Sequence, residues 1–368
     1  MIDYQGPGNM TVKNTDFTEF YNTAIDIQET LGYIMETECQ PDDGLVQIFT
    51  FDNLTISVTD NPGGNKFNAF VLAMDVALYR NIKNFVQNSN FVNYEYTIYV
   101  YFPIIAQQNV EVYLYNSTIA NITSLFYPVT QIWLNSIVRI ENITFENVTD
   151  TDQPLFQFLN NFESITIKNL TVSNLSGIST GLNDIIVLGN FPQTVTIIEQ
   201  LHVFDTTLEG RSAVRSTTEL NQIQIINSTF ESMNISSSDY IINTGQIKSI
   251  IFNTIVLSSI KMTDDIDNSG ATLFVSTLDL NSELDTSIQD ITIDECEIPF
   301  IVFSSVINES PGNITFSFSN INFTNTHFES DRALFSTDGV QLDTSLQISM
   351  SNLLFSNISF SRTGTLIE

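Results

Sequence analysis

Apolar and polar side chains alternate along this chain in short runs, and the runs return. The clearest unit is Asn, apolar, any, apolar, any, Asn. It reads Asn142-Ile-Thr-Phe-Glu-Asn147 and returns as Asn169-Leu-Thr-Val-Ser-Asn174, Asn320-Ile-Asn-Phe-Thr-Asn325 and Asn352-Leu-Leu-Phe-Ser-Asn357. Degenerate copies start at Asn116, Gln200, Asn227, Asn253 and Asp290, and weaker ones at Asn14, Asn53 and Asn81. From Asn116 onward the spacing averages roughly 29 residues. The fourth position is the most constant: Ile119, Phe145, Val172, Val203, Phe230, Val256, Ile293, Phe323 and Phe355. Two further segments recur between copies. One is an apolar pair or triple, such as Leu155-Phe156 with Phe158, Ile185 with Val187, Ile241-Ile242 or Leu334-Phe335. The other alternates just before the next Asn, as in Ile165 and Ile167 or Val195 and Ile197. Period-two alternation rich in β-branched and aromatic residues predicts strands, and no 3.6-residue period is sustained, so helices should be minor.

Three short strands per repeat do not bury their inward faces alone; stacked repeats do, with backbone hydrogen bonds between rungs about 4.8 Å apart. The pattern therefore predicts an all-β chain folded as a parallel β-solenoid of about a dozen coils. It forms one domain over 1–368, with irregular early coils over 1–115 and regular ones over 116–368. A β-sandwich would not require the same Asn-bounded signature in each repeat. Insertions at 262–272 and 281–289 are expected to lengthen individual turns without disturbing the stack.

The signature and its Ile/Asn/Ser/Thr-rich surroundings resemble right-handed parallel β-helix proteins of the pectin-lyase-like type, closest to the large surface proteins of that kind in protists. The resemblance is good over Asn116 to Glu368 and weak before it. Right-handedness is what the resemblance implies.

With positions two and four of the signature facing inward, the first-position Asn is expected to face outward and the sixth to turn inward at a bend. Asn121, Asn147, Asn174, Asn325 and Asn357 in that sixth column are expected to form a hydrogen-bonded Asn ladder. Asn also tolerates the left-handed backbone such a bend needs. Fourteen Asn-x-Ser/Thr sequons occur. Those expected to carry N-glycans are Asn9, Asn53, Asn116, Asn142, Asn169, Asn227, Asn234, Asn308, Asn313 and Asn322, while ladder residues should be bare.

Charge narrows the partners. There are 42 acidic and 12 basic residues, a net of −30, which repels nucleic-acid phosphates and anionic membranes. No apolar run reaches membrane-spanning length; Phe67 to Tyr79 is too short and is interrupted by Asp75. The opening residues lack the basic and apolar regions of a signal peptide. Cys39 and Cys296 form no disulfide framework, and about nine coils should separate them, so neither can pair with the other.

Pectin-lyase-like folds often carry polysaccharide lyases or hydrolases, whose paired carboxylates protonate a leaving oxygen and activate water or attack. Asn14-Thr15-Asp16 matches one element of such families, but the Asp-Asp, Gly-His-Gly and Arg-x-Lys followers are missing in order. Asp42-Asp43 and Asp264-Asp265 sit in separate loops. Asp290, Asp294, Glu295 and Glu297 form an acidic strand one coil deep, and His202 and His327 appear without partners in register. Asp265-Ile-Asp267-Asn-Ser269-Gly270 opens like a calcium loop but lacks its acidic closure, so weak, diffuse calcium binding is expected rather than a cofactor site. The expectation is thus a non-enzymatic extracellular or cell-surface glycoprotein. It would build a rod or filament by stacking end to end with copies of itself or with flanking sequence. The alternatives are an adhesin-like module binding glycans or protein, with turn aromatics such as Tyr127 or Trp133 contributing, and then a polysaccharide lyase or hydrolase.

Overall fold

Asn enters left-handed backbone more readily than most residues with a Cβ, and the fold uses it for that. Fifteen of the 22 non-glycine residues with positive φ are Asn. From Asn88 onward the positive-φ positions fall in pairs five residues apart, from Asn88 and Asn93 through Asn142 and Asn147 to Asn352 and Asn357. Each left-handed residue bends the strand and resets its alternation. In Ile137–Thr149 the buried positions are Val138, Ile140, Ile143, Phe145 and Val148. The spacing of two, three, two, three keeps one face inward around two corners.

The computed structural model describes residues 2–4, 9–20, 32–38, 47–58, 69–75, 82–96, 104–106, 110–124, 130–133, 137–149, 154–159, 162–176, 184–189, 191–208, 212–216, 220–236, 240–263, 272–278, 284–298, 301–307, 313–328, 335–338 and 345–360. These residues are all-β, in stacked parallel coils of a β-solenoid. None forms a helix long and apolar enough to cross a membrane. The chain divides into two units, Met1–Asn183 and Asp184–Glu368.

In the first unit the long bent strands are Met10–Phe20, Gln47–Val58, Ile82–Gln87 with Asn90–Tyr96, Val110–Ser124, Ile137–Thr149 and Ser164–Ser176. Each pairs parallel with the same segment of the next coil. A second sheet stacks the short strands Ile2–Tyr4, Gly32–Glu38, Ala69–Asp75, Ile104–Ala106, Thr130–Trp133 and Phe156–Leu159. The second unit repeats the plan, from Phe191–Leu208 to Ser345–Ser356 and Ser359–Phe360 in one sheet. Its other sheet runs from Ile186–Leu188 to Phe335–Asp338.

Between the sheets lies a dry core. Leu155, Phe156 and Phe158 of the apolar triple are fully buried, and Phe145 meets Phe156 edge to face at 5.1 Å. Burial of each such ring stabilises the coil by about 1.5–3 kcal/mol. Where position two is Ser rather than an apolar residue, the hydroxyl serves the bend. Ser89 Oγ and Ser117 Oγ accept from the backbone N–H groups of Leu54 and Ser89, and donate to the carbonyls of Gln87 and Tyr115. In the second unit, Asp184 accepts from the Ser212 N–H at 2.8 Å and pairs with Arg215 at 2.6 Å, a buried carboxylate given both a donor and a countercharge.

Several expectations need correction. The strand before the signature and the signature itself are one continuous hydrogen-bonded strand bent at the first-position residue, not two strands. The bend in one coil falls at Thr254 rather than Asn253, so Ile255 and Leu257 are buried and Val256 is turned outward. Thr194, Thr196 and Ile198 face inward in place of Val195 and Ile197, because the register shifts between Phe191 and Val195. Residues 284–289 of the insertion expected over 281–289 lie within the strand Leu284–Asp294. In the early coils the first bend falls at Asn14, Asn53 and Asn88, and among the described residues only Asn88 of these has a second left-handed residue five places on; Asn81 lies outside the described residues.

Candidate functional site

The sixth-column Asn residues do not turn inward. Asn121, Asn174, Asn325 and Asn357 are exposed, and Asn147 is half-buried, as a bend in a left-handed corner requires. They do form a ladder: Asn147 Nδ2 donates to Asn121 Oδ1 at 3.1 Å, Asn174 to Asn147 at 3.1 Å, and Asn357 to Asn325 at 2.8 Å. The first-position residues form a second ladder of the same kind. Asn116 donates to Asn88, Asn142 to Asn116 and Asn169 to Asn142, at 3.2, 2.8 and 2.8 Å. Asn53 donates to Asn14 at 2.8 Å. The two columns are therefore equivalent, and an inward-outward contrast no longer separates glycosylated from bare sequons. Asn227, Asn234 and Asn313 are exposed and make no rung. Asn322 is half-buried, Asn9 accepts from the Ile48 N–H, and Asn308 lies outside the described residues.

Two residues of the acidic strand, Asp290 and Asp294, join these ladders. Asp290 accepts from Asn320 at 2.9 Å, and Asp294 accepts from Thr324 and Asn325 at 2.7 and 3.0 Å. His327 is not partnerless: it stands in register between Glu297 and Ser359, and its Nδ1 shares a 2.7 Å hydrogen bond with Ser359 Oγ. His202 lies opposite Thr229. Asp42, Asp43, Asp264, Asp265, Asp267, Ser269, Gly270, Cys39 and Tyr127 lie outside the described residues; Trp133 falls in a strand whose side chains are not described. Asp16 is exposed on its strand. Cys296 is buried, its thiol pushed up to about 11 by that burial.

A chemically richer arrangement sits on the outward side of the segments that precede the first bend in the first unit. Because register is maintained, every second residue of each coil lines up with its equivalent in the next. One outward column runs Phe85, Tyr113, Arg139, Thr166; its neighbour runs Lys13, Asp52, Gln87, Tyr115, Glu141, Lys168; Lys83 and Glu111 flank them. Phe85 and Tyr113 stack face to face at 4.6 Å and 8°. The Arg139 guanidinium lies over the Tyr113 ring, 5.9 Å from its centre. Tyr113 donates its hydroxyl to Glu111 at 2.6 Å, and Lys83 pairs with the same carboxylate at 2.8 Å. Tyr115 packs at 6.0 Å from Tyr113, tilted by 41°, and stands between Gln87 and Glu141 in the column.

The electrostatics follow from these contacts. Burial pushes the Glu111 carboxyl up, but hydrogen bonds from Lys83 and Tyr113 outweigh it and hold the group below the usual carboxylate range. Burial, then the bond to Glu111, pushes Tyr113 up to about 12. The hydrogen bond from Asn88 is the main reason Asp52 is lowered. Four of the chain's 12 basic residues, Lys13, Lys83, Arg139 and Lys168, stand on this face beside three acids. The patch is net positive in a chain of −30. Sequence reasoning missed it because its members are about 28 residues apart and share no local motif; the signal was the repeat period itself, read on the outward positions.

No protein family profile matches this chain, and no curated protein matches it significantly. Among solved structures it is similar to the catalytic unit of a thermostable GH87 alpha-1,3-glucanase from Streptomyces thermodiastaticus strain HF3-3, at 10% identity and a TM-score of 0.26. That match covers 98% of this chain and 64% of the other, so the chain spans under two thirds of its length. It is also similar to a double mutant of the tailspike protein of E. coli bacteriophage HK620 in complex with a pentasaccharide, at 9% identity and a TM-score of 0.26, covering 97% and 73%. The expectation of a non-enzymatic chain is corrected here. The first of these structures is the catalytic unit of an enzyme.

Proposed function

We propose that this chain is a surface-presented β-solenoid that binds carbohydrate through the outward face formed by Lys83, Gln87, Glu111, Tyr115, Arg139 and Glu141. The observation that carries this reading is the convergence, across three consecutive coils, of a ring outside the stack with fork-shaped and acidic hydrogen-bonding groups. Tyr113 is sandwiched between Phe85 and Arg139 and acts as a support. Tyr115 has polar neighbours on both sides, so its ring can pack against the apolar face of a sugar while Gln87, Glu141 and Arg139 meet the hydroxyls. A rigid sheet holds these groups in fixed register, which limits the ordering cost of binding.

The test is a glycan array probed with the full chain and with Tyr115→Ala. Binding is expected for the native chain and a loss of about tenfold or more for the variant, in line with truncation of a binding anchor. Unchanged binding by Tyr115→Ala, or none by the native chain, overturns the reading; Lys248→Ala, an exposed residue of the second unit, serves as the neutral control. Secretion belongs to the same reading, with N-glycans on the sequons that make no rung, Asn227, Asn234 and Asn313.

A further inference from the structure

We infer that the sugar bound at this face carries a carboxylate, as a uronic or sialic acid does, and that Arg139 is the residue that reads it. The inference rests on the carbohydrate-binding reading above and adds the chemical class of the ligand. It follows from a charge account of the patch. Lys13 lies 3.4 Å from Asp52, and Lys83 lies 2.8 Å from Glu111. Glu141 stands opposite Lys168 in the register of the next coil. Asp52 and Glu111 thus have cations of their own in Lys13 and Lys83, and Arg139 is a further cation on the face. Arg139 is close enough to Glu111 to contribute to that group's ionisation, yet makes no ion pair among the described residues.

Its placement is that of a receptor more than of a solvated surface residue. The Tyr113 ring lies beneath the guanidinium at 5.9 Å and restrains it, which lowers the side-chain freedom lost when an anion docks. Arg139 is exposed, and a guanidinium matches a carboxylate with two parallel N–H···O bonds. Tyr113 is itself held by its bond to Glu111 and by the Phe85 stack. Beyond about one Debye length, roughly 8 Å at physiological salt, the acidic remainder of the surface is largely screened. Its residual repulsion disfavours the same ligand elsewhere on the chain, which makes this patch the selective place for it. Coils succeed one another at about 4.8 Å, close to the length of one sugar unit. A linear glycan laid across the coils therefore passes Tyr115 and Arg139 with adjacent units.

The experiment is an array of uronic- and sialic-acid oligosaccharides, each printed beside its carboxyl-reduced neutral counterpart. It is probed with the full chain, Arg139→Gln, Arg139→Lys and Tyr115→Ala. The expected result is binding to carboxylated members with at least tenfold preference over their reduced partners. That preference should be abolished in Arg139→Gln and partly kept in Arg139→Lys, which retains charge without the fork. Equal binding to both members of each pair, or a preference unchanged in Arg139→Gln, overturns the inference while leaving the carbohydrate-binding reading in place. No binding to any member overturns both. Arg139 is exposed, so its variants are expected to keep the native melting curve, recorded alongside.

Discussion

Substitution at Asn142 separates the two things a ladder Asn does. Its backbone is left-handed at φ 58°, its Nδ2 donates to Asn116 and its Oδ1 accepts from Asn169, both at 2.8 Å. Alanine in a left-handed conformation costs about 1–2 kcal/mol. The two exposed amide bonds, at the low end of the usual range, add about 0.5 kcal/mol each. Asn142→Ala is therefore expected to destabilise the coil by about 2–3 kcal/mol. Asn142→Gly removes the same two bonds without the steric penalty and should cost about 1 kcal/mol. Asn142→Asp keeps the acceptor for Asn169 but loses the donor to Asn116, and should fall between native and Ala. Solenoids need not unfold as one unit, so the readout is amide hydrogen exchange of strands 110–124, 137–149 and 164–176, which reports the opening free energy coil by coil. If Gly is as damaging as Ala, the left-handed backbone is not what selects Asn here. If all three variants lie within about 0.5 kcal/mol of native, the ladder is inert.

Other consequences can be measured directly. Asn84 points into the core between Phe49 and Val112, fully buried, with no hydrogen-bond partner for either amide atom among the described residues. Asn84→Leu should stabilise the first unit by about 1–3 kcal/mol in thermal or urea unfolding, and a loss of stability would refute the assignment. Glu111 is held low, so its contribution to stability is present above the ordinary carboxylate range and disappears as the pH falls through its lowered value. Tyr113 is held high, so its contribution is complete below pH 10 and is lost between about 10 and about 12. Tyr113→Phe should flatten the alkaline limb of a pH–stability profile and leave the acid limb partly intact. The Cys296 thiol, buried and pushed up to about 11, should resist alkylation in the native chain at pH 8 and react on unfolding. Fast native labelling would place it at the surface.

The inside of this protein is written locally and its outside is not. Asn142-Ile-Thr-Phe-Glu-Asn147 carries both bends and both inward positions within six residues, so the coil can be read from the signature alone. Reading failed where a single residue broke the match. Asn253 beside Thr254 offers the expected letter one place too early, and the backbone bends at Thr254 because register with Asn227 fixes the corner. Asn88-Ser-Asn-Phe-Val-Asn93 was passed over for Asn81, although its Ser89 is the same buried hydroxyl that Ser117 supplies in the copy at Asn116. The face of the sixth column was misjudged for a related reason. Strict alternation places it inward, whereas a left-handed residue interrupts alternation and leaves its own side chain outside.

The ladders carry a direction that explains where Asp interrupts the Asn columns. Every rung donates from its Nδ2 toward the preceding coil and accepts at its Oδ1 from the following one: Asn53 to Asn14, Asn121 to Asn93, Asn174 to Asn147, Asn352 to Asn320. A carboxylate accepts but has nothing to donate, so it fits only where no rung below needs it. Asp290 fulfils this condition. The coil before it presents Thr254, which turns its hydroxyl to Asn253, while Asn320 in the coil after donates to Asp290. Asp294, one residue before the corner Glu295, receives Asn325. Asp52, one residue before the corner Asn53, receives Asn88 in the same way. Asp290 and Asp294 of the acidic strand are thus ladder starts. The outward columns before the first bend follow no such rule: Phe85, Tyr113 and Arg139 share one column with no ladder group among them.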